Sequence, residues 1–185
     1  AMRAIDAISC LRLSLLLFFL LILFISSTHS APVYTSTTAT SEDTTPKYVS
    51  YGYDPAQSIH TFSGLNTVLS PCAVVTLQIW LAHSYNSDCI IRLYAPDNTY
   101  VTVSNRRGGS KANVFDGTLF TDAAQTIVAN YAFLSDGAVT PLRSENQFAT
   151  LRGKNPNGQW KVWVSDVDLG SNGYLNKVIL KIEGK

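Results

Sequence analysis

Histidine and cysteine each occur only three times in this chain of 185 residues. Basic residues form no run longer than the pair Arg106-Arg107, and no Asn-x-Ser/Thr triplet occurs. Each scarcity excludes something. A formal net charge of +1 without a basic cluster provides no electrostatic footprint for a phosphate backbone, so no nucleic-acid partner is expected. Without an acceptor triplet, N-glycans are not expected. Beyond Pro55 no 3.6-residue period persists over a useful length, which argues against a helical fold. The imidazoles outside the N-terminal segment are His60 and His83, and neither is accompanied by a glycine-framed nucleophilic serine, so a triad has no material. His83, at the inward end of a strand alternation, reads as a hydrogen-bonded corner; His60 is uninformative. Two thiols and two imidazoles without close pairs do not suit zinc. No enzyme is expected.

The N-terminus departs from this polar economy. Met2, Arg3 and Arg12 precede an apolar run from Leu13 to Ile25, and Thr28 and Ser30 stand at minus three and minus one before Ala31. Residues 1–30 therefore read as a secretory signal peptide. A spanning helix needs roughly 20 apolar residues, and Arg12 and Ser26 bracket too short a stretch, so a secreted, extracellular protein is expected; a membrane contact follows only if the segment is retained. Residues 31–53 form a Thr/Ser/Tyr-rich tail or linker. It cannot bury enough apolar surface to fold alone. It reads either as a flexible stalk open to O-glycosylation or as a β-prone strand that adds to an open sheet edge of its own or a neighbouring molecule. Residues 54–185 remain for one domain with a core of its own.

Cys10 leaves with the signal, so Cys72 and Cys89 are the thiols of the mature chain. Cys72 stands at the entrance of an apparent strand from Val74 to Leu81, and Cys89 opens the next strand after the turn at Asn86 to Asp88. If those strands are antiparallel, the sulfurs lie on the order of 20 Å apart, too far to bridge. Two buried free thiols are expected.

Period-two alternation recurs along the rest. Val75, Leu77, Ile79, Leu81 and His83 share one face; Cys89, Ile91 and Leu93 another; Trp160, Val162 and Val164 a third; Val178, Leu180 and Ile182 a fourth. Gly, Pro, Asn and Asp clusters such as Pro96-Asp-Asn98, Asn155-Pro-Asn-Gly158 and Gly170-Ser-Asn-Gly173 separate them. The pattern predicts an all-β, antiparallel jelly-roll β-sandwich. Only Phe120 to Val128, with Asp122-Ala-Ala124, has the makings of a helical turn.

The run Val75-x-Leu-x-Ile-x-Leu-x-His83-Ser-Tyr-x-Ser-Asp88, followed by Ile91-x-Leu93-x-x-Pro96, is similar to the first half of the P domain of kexin- and furin-like proprotein convertases. Gly108-Gly-Ser110, Phe115-Asp-Gly-Thr-Leu-Phe-Thr-Asp122, Leu151-Arg-Gly153, Asn157-Gly-Gln-Trp160-x-Val-x-Val-x-Asp166 and Gly170-x-x-Gly173-x-Leu175 resemble the family's loops in order and spacing. The resemblance implies an eight- or nine-stranded jelly roll that occurs here without a protease domain. Two places depart from it: Ser171 and Val178 stand where the family usually has Asp and Trp.

Two sets of residues are candidates for function. Asp88, Asp122 and Asp116 read either as turn carboxylates capping backbone amides or as ligands of a structural calcium ion, which takes six to eight oxygens from such loops; the resemblance points first to Asp88 and Asp122. If the alternating residues face the core, Trp80, Ile90, Tyr94 and Trp163 face outward, and such apolar surface marks contacts. Three coverings remain open: the tail with its Tyr48 and Tyr51, a second copy or larger assembly, or a stacked sugar chain. The expectation is a non-catalytic module with a structural or assembly role in an extracellular polymer, coat or glycoprotein complex. The alternatives are a carbohydrate-binding module and a stabilising or inhibitory partner of a separate subtilisin-like protease.

Overall fold

Strict alternation needs a sheet with one face dry and one wet, and two such sheets solve the problem by facing each other. The computed structural model describes residues 37–184, and among these the chain forms β1 (Thr38–Asp43), β2 (Lys47–Ser50), β3 (Ala56–Phe62), β4 (Val74–His83), β5 (Cys89–Tyr94), β6 (Tyr100–Asn105), β7 (Phe115–Thr121), β8 (Gly158–Asp166) and β9 (Asn172–Glu183). They make two antiparallel sheets. One runs β1-β9-β4-β7, with β2 also on β9, and the other runs β3-β8-β5-β6. The long β9 therefore carries two strands in succession: β1 pairs along Val178–Glu183 and β2 along Asn172–Leu175.

The alternations read from the sequence all point inward. Leu77, Ile79 and Leu81 of β4 are fully buried and lie opposite Leu180, Val178 and Leu175 of β9. Ile91, Leu93, Trp160, Val162 and Val164 of the second sheet join the same core. Each such aliphatic side chain contributes about 1.5–3 kcal/mol on burial, and a one-residue slip would turn the whole set to solvent, so the register is strongly determined. Val178, which stands where the resemblance implies Trp, is itself buried. Trp160 fills the interior with its indole Nε1 donating to the Pro156 carbonyl at 2.8 Å.

Several local expectations need revision. The helical turn lies at Val128–Asn130, beyond the Asp122-Ala-Ala segment, because Phe120 and Thr121 are already committed to β7. Two further 3-10 turns, Asn86–Asp88 and Phe148–Leu151, break the loops. Cys89 is a buried free thiol as expected, and burial pushes its pKa far up; Cys72, by contrast, is disulfide-bonded, so only one of the two is free. The premise of directly paired antiparallel strands also fails, because β4 and β5 belong to different sheets. The signal segment, Cys10 and residues 31–36 of the tail lie outside the described residues. No helix among the described residues is long and apolar enough to cross a membrane.

Two of the four sheet edges are closed by loops. Along β6, the Asn146 amide N–H donates to Thr102 O at 3.0 Å while its side-chain Oδ1 accepts from Thr102 N at 3.1 Å. Along β7, Thr121 N donates to Leu142 O and Leu142 N to Leu119 O. Loop coverage of this kind protects an edge from pairing with a foreign chain.

Candidate interaction faces and buried polar sites

Residues 38–50, read from sequence as tail, carry a polar seam that sequence reasoning did not find. The inward side of β1 presents Ser41 and Asp43 to the inward side of β3, whose Ser58 and His60 are fully buried. Ser58 Oγ donates to Asp43 Oδ2 at 2.6 Å and lies 2.9 Å from His60 Nε2, while His60 Nδ1 lies 3.0 Å from Ser41 Oγ. Lys47 Nζ closes the chain on Asp43 at 2.6 Å. Burial pushes the His60 pKa down, against a smaller upward pull from Asp43. Burial alone would raise Asp43, but the hydrogen bonds from Lys47 and Ser58 outweigh it and hold the carboxyl well below the usual range. The signal was present in the inward spacing of Ser58 and His60 on an alternating strand, where an apolar pair would be the default.

The second buried polar group is the corner foreseen at His83. Its Nε2 lies 3.2 Å from Asp166 Oδ2, with both side chains fully buried. Its Nδ1 lies 3.0 Å from the Tyr85 carbonyl oxygen and 3.3 Å from the Tyr85 amide nitrogen. Asp166 Oδ1 in turn accepts from Asp168 N at 3.0 Å. The nearby Cys89 thiol is held protonated by desolvation and by the charges of Asp166 and Asp88.

The aspartates read as calcium candidates are not gathered. Asp122 spends both oxygens on the amides of Phe148 and Ala149, at 2.9 and 2.7 Å, capping a 3-10 turn. Asp88 is buried at the end of another turn, and Asp116 lies half-buried opposite Trp80 across β4 and β7. Among the described residues no group of three or more His, Cys, Asp or Glu side chains could hold a metal ion. These residues do not fit a calcium site in this conformation.

Trp80, Ile90, Tyr94 and Trp163 occupy outward positions of their strands, yet all four are half-buried. Cations cover the three rings. Lys177 Nζ sits 4.8 Å from the Trp80 ring and also pairs with Glu42 of β1. Arg92 is clamped between Trp163, at 5.1 Å, and Tyr100, at 4.9 Å, and Lys161 lies 4.6 Å from Tyr94. Such contacts contribute about 0.5–2 kcal/mol each. Arg92, Lys161 and Tyr100 were not singled out from sequence, although cross-strand register makes them neighbours of the residues that were.

Of the tail, Glu42 reaches the Trp80 site through Lys177. The strand β2 sets Tyr48 opposite Tyr174 of β9, with ring centroids 5.3 Å apart, and Tyr53 packs edge-on against Tyr48 at 5.2 Å. Tyr48, Tyr51, Tyr53 and Tyr174 are all exposed. This tyrosine cluster lies on the outside of the five-stranded sheet, one step along β4 from Trp80. The close approach that allows it is made at Gly173, where a Cβ would fall 2.7 Å from His83 Cα and still closer to the Ala82 carbonyl.

A two-sheet antiparallel sandwich with a buried His–Asp corner and aromatic outer faces defines an all-β sandwich module. The model of the proprotein convertase P-domain family matches residues 72–182, and the chain belongs to that family, whose domain is a non-catalytic accessory to proteases. No curated protein matches the chain in sequence. Among solved structures, a serine protease of Aeromonas sobria matches with a TM-score of 0.53 at 16% identity, over 85% of this chain and 28% of that one. The same organism's protease in complex with the chaperone ORF2 gives 0.54 at 16%, over 83% and 28%. At that identity the likeness shows the fold, and the chain spans little more than a quarter of those proteins.

Proposed function

We propose that this chain is a secreted, non-catalytic P-domain module with a structural role, joining copies of itself into an extracellular assembly through the outer face of its five-stranded sheet. The observation that carries this reading is the exposed cluster of Tyr48, Tyr53 and Tyr174, with the exposed Tyr51 in the turn after β2, because aromatic side chains of this kind are the favoured anchors of protein interfaces. The three inter-ring and ring-cation contacts at its border, including Trp80 beneath Lys177, hold the face rigid before a partner arrives, which lowers the ordering cost of docking.

The test is expression of the full chain in a secreting host, followed by sedimentation of the protein recovered from the medium. A concentration-dependent oligomer that Tyr48→Ser with Tyr174→Ser converts to monomer supports the proposal. A clean monomer at every concentration, or retention inside the cell, would sink it.

Family membership supports a second reading, in which the module stabilises or restrains a separate subtilisin-like protease. Incubation with such a protease from the same source, scored for co-elution and for the protease's thermal lifetime, separates this outcome from self-assembly.

A further inference from the structure

On the opposite side of the sandwich, the outer face of the four-stranded sheet holds two cations that the protein leaves without counter-charges. Lys47, Arg106, Arg107, Lys154, Lys177 and Lys181 each lie against a carboxylate. Arg92 and Lys161 lie against rings instead, and Arg92 Nε is buried with no acceptor. Among the described residues neither is paired with a carboxylate: the only carboxylate in β3, β5, β6 and β8 is Asp166, which is buried and tied to His83, and Asp97 in the loop beside the hollow is paired with Lys154.

A missing partner for a buried guanidinium N–H ordinarily costs about 1–3 kcal/mol. The ring clamp of Trp163 and Tyr100 offsets part of that cost while holding the guanidinium plane in one orientation, as arginine's planar fork permits. A cation fixed by rings keeps its full charge for something outside the chain. Lys161 also lines a hollow of about 370 Å³ with Gln57, Ile59, Tyr94, Asn98 and Gln159. That volume suits a small ligand or one unit of a chain.

The lining states the chemistry. The lining is mainly polar, with Ile59 and Pro96 as its apolar part, and the Tyr94 ring is taken up by Lys161 and Tyr100. Gln57, Gln159 and Asn98 are primary amides, each with donor and acceptor capacity, matching neighbouring hydroxyls. Lys161 at the wall demands an anion. Register places Arg92 diagonally from Lys161, since Tyr94 pairs with Lys161 and Arg92 with Trp163, so the two Cβ atoms stand about 7–8 Å apart, with charges reaching to successive acidic groups of a chain. An acidic peptide would meet the same cations and bring backbone groups to the amides, which makes poly-glutamate the deciding comparison; the hydroxyl-rich saccharide matches three amides within one unit.

The geometry points to a binding site for an acidic polysaccharide, with one saccharide unit in the Gln57–Tyr94–Lys161 hollow and its anionic groups on Lys161 and Arg92. The site is independent of the tyrosine face and stands whether or not the chain self-associates.

The full chain is titrated with oligogalacturonate, which is carboxylated, and with dextran sulfate, which is sulfated; a neutral cello-oligosaccharide and poly-glutamate serve as comparisons. Saturable binding of at least one acidic glycan is expected, falling with added salt. Lys161→Gln should weaken it about tenfold, the loss of one charge-assisted contact, as should Gln159→Ala, an exposed change that spares the fold. Arg107→Gln, a cation outside the hollow, should leave it unchanged. The proposal is overturned if neither acidic glycan binds, if both hollow variants bind like the parent, or if poly-glutamate or the neutral sugar binds as tightly.

Discussion

His60 lies 3.0 Å from Ser41 through its Nδ1, and this contact ties a strand of the supposed tail to the opposite sheet through a buried imidazole. Because burial depresses the His60 pKa below its ordinary 6.5, the folded chain binds fewer protons than the unfolded chain just below that pH. Stability contributed here is complete above about pH 6.5 and is lost as the pH falls toward the folded value. Asp43, also depressed, adds a second loss at more acid pH with the same sign. The urea midpoint should therefore fall between about pH 7 and pH 5, and His60→Gln should flatten that fall. Amide exchange localised to Thr38–Asp43 should quicken over the same range. A midpoint that rises on acidification would contradict the assignment.

The two pairs at the C-terminal end of β8 should behave very differently. Removing one partner of the buried His83–Asp166 pair, by Asp166→Ala, is expected to cost about 3–5 kcal/mol, because the imidazole loses its acceptor in a dry site. Asp168→Ala breaks the neighbouring ion pair with Arg106, whose two side chains are about half exposed; there the cost should stay below about 1 kcal/mol. Chemical denaturation of both variants measures the contrast, and equal costs would mean that the corner is not buried in solution.

Gly173→Ala should be among the most damaging single-methyl additions to the molecule. The new Cβ would meet the backbone of Ala82 and His83 rather than a movable side chain, with His83 Cα only 2.7 Å away. A loss of about 3 kcal/mol is expected, at the upper end for overpacking, together with disruption of β2 pairing and of the tyrosines that β2 presents. Thermal melting checks the first, and the self-association assay the second.

Much of the core was legible because period-two alternation is a direct statement about which side of a strand is dry. Leu77, Ile79, Leu81, Val162, Val164 and Leu180 needed only that rule, and all are fully buried. The strand β3 escaped it because its inward positions include Ser58 and His60, polar residues whose partners, Ser41 and Asp43, lie 15 to 19 residues away. The outward placement of Trp80 and Trp163 was readable for the same reason as the core. Their cationic covers were not, since Lys177 and Arg92 come from neighbouring strands and only the register brings them over the rings. Strand order bears only on a bridge between Cys72 and Cys89, and Cys89 is indeed free; the bonded state of Cys72 lies outside what the strand alternation can show.

The loops that close β6 and β7 have a geometric consequence for growth. On the five-stranded sheet, the far edge is occupied by the segment around Leu142, while β1 has a neighbour only on its β9 side. A second molecule that added itself there would do so β1 to β1 about a two-fold axis, and both ends of the joined sheet would then be shut. Strand addition in that sheet terminates at a pair, so a backbone ribbon of the five-stranded sheet alone cannot grow beyond two molecules.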